Sequence, residues 1–177
     1  MELVVNKLYD IQSCSVLNVE SVAEDLVLVN LELTLDSYKF DKFATRPLHC
    51  LYDFERNIPP LDISLDSETG LLKEITLFVK KPILKHDSIT GNVEHQNVIG
   101  YPCFNTEFVE ENESYYDVFC EMIITLRELS LSVARADHAS SKKVSVNENL
   151  SILLDEKETL TGVEFNNIGK AYLDLLK

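Results

Sequence analysis

The sequence predicts a mainly β protein of the α+β class. It should contain two similar antiparallel β units, packed as one sandwich or one continuous curved sheet and closed by a short C-terminal helix. Three observations predict this. Apolar residues alternate with period two along most of the chain, as half-buried strands require. Two stretches, LDISLDSETGLLKEITLF at 61–78 and NLSILLDEKETLTGVEFNNI at 149–168, share one plan: an alternation reaching Leu-Asp, a polar turn, and a second alternation. Helical spacing is scarce, and its best instance lies at the C-terminus.

Each element follows in order. In LVLVNLELTL (26–35), Val27, Val29, Leu31, Leu33 and Leu35 fall on one face and Leu26, Leu28, Asn30, Glu32 and Thr34 on the other. That pattern is a strand with one buried and one partly solvated face. The 61–78 stretch reads as a hairpin in which Asp66 opens the turn and Gly70 takes a positive φ. KHDSITGNVEHQNVIG (85–100) is polar and aperiodic, and reads as a connector. YYDVFCEMIITL (115–126) reads as one strand, with Tyr116, Val118, Cys120, Met122, Ile124 and Leu126 opposite Asp117, Phe119, Glu121, Ile123 and Thr125. ELSLSVARA (128–136) sets Leu129, Leu131 and Val133 against Ser130, Ser132 and Ala134, and HASSKKVS (138–145) reads as the hairpin tip that follows. At the end, Ile168, Ala171, Tyr172 and Leu175 keep helical spacing behind an Asn cap.

Asp66 and Asp155 lie 89 positions apart (155 − 66), about half of the 177-residue chain. The same offset carries Leu61, Ile63 and Leu65 onto Leu150, Ile152 and Leu154, and Val27–Leu35 onto 116–124. With a turn one residue shorter, Leu72, Ile75 and Leu77 match Leu160, Val163 and Phe165. Internal duplication is the expectation; the competing account is that both stretches use one common hairpin grammar. The expected organisation is a first β unit at 1–85, a connector at 86–100, and a second β unit with the helix at 101–177. Units of this size are small for independent stability, so they should share a core.

The chain carries 16 Lys and Arg against 30 Asp and Glu, a net charge of −14. Such a molecule repels phosphate backbones and anionic lipid, so neither nucleic acid nor membrane is an expected partner. A basic protein would be steered toward it. The N-terminus MELVVNKLYD is unlike a basic signal peptide, and the four cysteines are too sparse for a secreted disulfide scaffold. A cytoplasmic protein with reduced thiols is expected.

Residues 86–126 contain no Lys or Arg but carry Asp87, Glu94, Glu107, Glu110, Glu111, Glu113, Asp117 and Glu121. Aromatic rings are interleaved with these acids. The expected partner-binding set is Glu107, Phe108, Glu110, Glu111, Glu113, Tyr115, Tyr116 and Asp117. Carboxylates there would pair with Lys and Arg of a partner, while rings supply an apolar anchor. The bland reading is a solvated acidic loop.

Other chemistries find less support. His86, Asp87, Glu94 and His95 offer a carboxylate–imidazole set for a divalent ion, but dispersed histidines carry little signal. His49 and Cys50 are neighbours, which on a strand point to opposite faces. Cys103 or Cys120 paired with His138 stays open. No nucleotide-binding, zincin or nucleophile-elbow motif occurs. No catalytic residue, cofactor or metal is expected.

The segment SILLDEKETLTGVEFNNI resembles the D-x-x-x-x-hydrophobic-x-G-[IV]-E hairpin of small uncharacterised bacterial β-domains, through Leu154, Asp155, Leu160, Gly162, Val163 and Glu164. The first half departs from it, with Glu74 where the glycine should be and Thr76 where the acid should be. In bulk character, small, acidic and β-rich, the chain resembles bacterial toxin-immunity proteins. That resemblance implies a non-enzymatic inhibitor that masks a basic toxin domain by charge, and it transfers no individual residue. The alternatives are a β-barrel or sandwich holding a small ligand between the halves and, less favoured, a hydrolase.

Overall fold

In the computed structural model, which describes residues 2–36, 38–40, 48–86, 95–107 and 115–177, the alternating segments form strands. β1 (Val5–Tyr9), β2 (Ser13–Ala23) and β3 (Leu26–Leu35) come first, then β4 (Leu48–Asp53), β5 (Ile58–Leu65) and β6 (Leu72–Lys80). β7 (Lys85–His86), β8 (Gln96–Ile99) and β9 (Tyr101–Phe104) follow. The remainder is β10 (Tyr115–Phe119), β11 (Met122–Leu126), β12 (Leu131–Arg135), β13 (Lys142–Asn147), β14 (Leu150–Leu154), β15 (Leu160–Phe165) and helix α1 (Lys170–Leu176).

Two large sheets result, and they share a plan. The first runs β10-β4-β5-β6-β3-β2; the second, read in the matching direction, runs β8-β13-β14-β15-β12-β11-β7. In each, an edge strand pairs parallel with the first strand of a three-strand meander, whose last strand lies against an antiparallel hairpin. β1 and β9 make a separate antiparallel pair. The buried faces of both sheets merge into one apolar core, with Leu31, Leu61, Ile75 and Leu77 from the first sheet and Val133, Ile152, Val163 and Phe165 from the second. The expected mainly β architecture with a terminal helix is what forms.

Several local expectations need correction. The structural counterpart of β3 is β12, because each lies beside the last meander strand; it is not the segment 116–124. Period-two parity alone does not say which alternating strands correspond. The stretch 115–126 is two strands, because the chain leaves the first sheet at Cys120 and enters the second at Met122. The loop 138–145 is not a hairpin tip, since β12 and β13 are separated by β15 and β14. Leu129 is exposed rather than in line with Leu131 and Val133. The helix begins after Gly169 without a side-chain cap and buries Leu173 and Leu176; Asn167 lies two residues before that cap position and donates its side-chain amide to the Glu148 carbonyl at 2.6 Å.

The unit boundaries are crossed by strand pairing. β10, beyond residue 101, completes the first sheet, and β8, from the connector, completes the second. β1 pairs with β9.

The matching hairpins turn on matching aspartates. Asp66 accepts from the Thr69 amide at 3.1 Å and the Thr69 hydroxyl at 2.6 Å, and Asp155 accepts from the amides of Lys157 at 2.8 Å and Thr159 at 2.9 Å. Gly70 supplies φ of 72° in the first turn, but Glu158 does so in the second, at 62°. Gly162 therefore has a different role. It sits in β15, where a Cβ would stand 2.4 Å from the Val133 carbonyl of the adjoining strand.

Candidate protein-docking surface

Of the eight expected partner-binding residues, Phe108, Glu110, Glu111 and Glu113 lie outside the described residues, as does the Tyr115 side chain. The others are dispersed by strand alternation. Glu107 is exposed, with its amide donating to Asn105 Oδ1 at 2.8 Å. Tyr116 turns inward with Val118 and is buried, while Asp117 turns outward and is exposed. Among the described side chains of β10, the outward ring is Phe119, which is 69% exposed.

Phe119 stands opposite Tyr52 in the parallel pairing of β10 with β4, and their ring centroids are 6.2 Å apart. Beyond the end of β4, Phe54 is 80% exposed on the turn that leads to β5. That turn closes through the Asn57 amide donating to the Phe54 carbonyl at 3.1 Å, with Asn57 at φ 51°, a conformation asparagine tolerates well. On the same outer face, Phe78 and Leu28 oppose each other on β6 and β3 and stay half-buried. Two large, neighbouring, solvent-facing rings are unusual on a surface with no partner, and rings of this kind anchor interfaces.

The turn is fixed from beneath by Asp53, only 3% exposed. Its carboxylate accepts from Arg56 Nε at 2.8 Å, the Arg56 amide at 3.1 Å and the Met122 amide at 2.9 Å. Arg56 also donates to the Met122 carbonyl. Burial alone raises the Asp53 carboxyl, but the Met122 amide and the Arg56 side chain and amide together hold it below the usual carboxylate range. The Cys120 amide adds a bond to the Tyr52 carbonyl at 2.8 Å. The rings are thus carried on a braced corner, where the chain passes from one sheet to the other.

A cleft of about 450 Å³ opens at this corner, lined in part by Tyr52, Phe54, Glu55, Arg56, Phe119 and Glu121. Arg56 and Glu121 are 3.6 Å apart at its rim. With Asp53, Glu55 and Glu121 against Arg56, the lining is net negative, and Asp117 lies two positions back on β10, on the same face as Phe119. The lysines that open β13 do not reach this face: Lys143 pairs with Glu164 at 2.8 Å and Lys142 with Glu158, both acids being on the β14–β15 hairpin.

The remaining chemistry-bearing groups are engaged elsewhere. Asp87 and Glu94 lie outside the described residues, and among the described residues no group of three or more His, Cys, Asp or Glu gathers around a common point. His138 lies 3.4 Å from Asp155 through Nδ1 and 3.8 Å from Asp137 through Nε2. Burial pushes the Cys120 thiol up to about 11, which suppresses its thiolate. Cys103 is buried, with its Sγ 3.0 Å from the Thr69 carbonyl, and burial raises it too. A second cavity, also about 450 Å³, lies against Glu32, Tyr38, Phe40 and Lys73 at one end of the first sheet, not between the halves. Among the described residues no helix is long and apolar enough to cross a membrane.

Sequence reasoning missed Tyr52, Phe54 and Phe119. The signal for Phe119 was present, since strand parity puts it with Asp117 and Glu121 on the outer face. The signal for Phe54 was the turn-forming run DFERN. No protein-family model matches the chain, and no curated protein matches it.

Proposed function

We propose that the protein is a non-enzymatic, cytoplasmic binding protein that captures and occludes a basic protein, a bacterial toxin domain being the leading candidate. The observation that carries this reading is the pair of exposed rings, Phe54 and Phe119, set among Glu55, Asp117 and Glu121 on a chain of net charge −14. Charge of that size accelerates encounter with a cation, and rings slow its departure.

The test is charge reversal. Glu110, Glu111 and Glu113 are changed to Lys together, and association with a panel of basic nuclease domains is followed at several salt concentrations. A partner's on-rate should fall at least ~10-fold at low salt and lose most of its salt dependence. An unchanged on-rate and salt slope for every binding domain would refute the reading.

A further inference from the structure

We propose that the cleft at the β4–β5 corner is an anchor site for a single arginine side chain of the captured partner; this rests on the capture reading. Three features select that occupant. The adjacent Tyr52 and Phe119 rings, tilted 32° to each other, and the exposed Phe54 offer aromatic faces, on which a guanidinium stacks better than an ammonium. Glu55 and Glu121 stand on the same lining, placed to accept from its edges. The volume, about 450 Å³, accommodates one long side chain but not a folded element.

The corner already shows how it treats a guanidinium. Arg56 is forked onto Asp53 by Nε and Nη2 and reaches the Met122 carbonyl, so its donors are largely committed downward. Glu121 stays 63% exposed at 3.6 Å from it, an open contact. An incoming arginine finds Glu121 and Glu55 facing outward and the Phe119 ring beside them. An anion meets Asp53, Glu55 and Glu121 against one committed cation and is rejected. An aliphatic side chain would cover the carboxylates without pairing them, which costs their hydration.

The experiment titrates the intact protein with capped glycine-rich peptides carrying one arginine, one lysine or one citrulline, followed by NMR of the aromatic side chains. Saturable shifts of Tyr52, Phe54 and Phe119 with the arginine peptide are expected. Lysine should bind several-fold more weakly and citrulline not detectably. Phe119→Ala and Glu121→Gln should each weaken the arginine peptide by roughly 3- to 10-fold; both side chains are exposed, so the fold is kept. Shifts that do not saturate, equal binding of citrulline, or indifference to both substitutions would overturn the anchor. Polyarginine binding at low salt separates this from the broader reading. Polyarginine that binds wild type and Phe119→Ala equally leaves the acidic capture surface standing without its anchor, whereas no polyarginine binding to wild type removes both.

Discussion

The carboxylate of Asp53 accepts the backbone N–H of Met122 at 2.9 Å, across 69 positions of sequence. Asp53 ends β4 of the first sheet and Met122 begins β11 of the second, so one buried side chain pins the passage from β10 to β11. Asp53→Ala would leave the Met122 amide and the Arg56 guanidinium without their acceptor. A loss of about 2–4 kcal/mol is expected by urea denaturation. A loss below about 0.5 kcal/mol would show that the corner does not depend on this bond.

The same carboxylate gives a pH signature. Asp53 is held below its ordinary value of 3.8, so the folded state binds its proton less readily than the unfolded chain. Its contribution is present above about pH 4 and is lost as pH falls through the lowered native value. The stability difference between wild type and Asp53→Asn should therefore shrink on acidification from pH 6 toward pH 2. A difference that stays constant across that range would contradict the assignment. Taking the difference also removes the general relief of charge repulsion that acid brings to so negative a chain.

Two glycines make a matched pair. A methyl at Gly162 would meet the Val133 carbonyl at 2.4 Å, while one at Gly169 would meet nothing within 4 Å. Gly162→Ala should force β15 and β12 apart and lower stability by about 2–4 kcal/mol. Gly169→Ala should change it by less than about 1 kcal/mol. Similar thermal midpoints for the two variants would exclude the close approach.

Thiol reactivity should be graded. Cys14 is exposed, Cys103 is buried, and Cys120 is half-buried with its thiol pushed up to about 11. At pH 7.5 in native buffer, peptide mapping after a brief maleimide pulse should find label on Cys14 well before Cys103 or Cys120. Early labelling of Cys120 would mean that the corner opens.

The regular part of the architecture was legible because it rests on local chemistry. The alternation of Val27 to Leu35, the two Asp-opened turns and the inward faces of both hairpins follow from side-chain periodicity and turn geometry, which a window of ten residues contains. Long-range pairing was not legible. Nothing near Tyr115 says that it will join β4 in parallel, and nothing near Cys120 says that an unbroken alternation will change sheets there. The site was only half visible for the same reason. The acidity of the central segment is a property of composition, whereas the meeting of Phe119 with Tyr52 depends on a register set by residues far away. The Asn cap failed because the helix starts only after Gly169, two residues beyond Asn167, which sits at φ 53° and is tied through its side-chain amide N–H to the Glu148 carbonyl far away in sequence.

Because β10 closes an edge of the first sheet, that sheet is unfinished until residue 119 has been made. A nascent chain leaving the ribosome must therefore hold β2 to β6 with an open flank for seconds, at ordinary rates of translation. A fragment cut at residue 85 would lack β10 and expose β4 as a sticky margin prone to self-association.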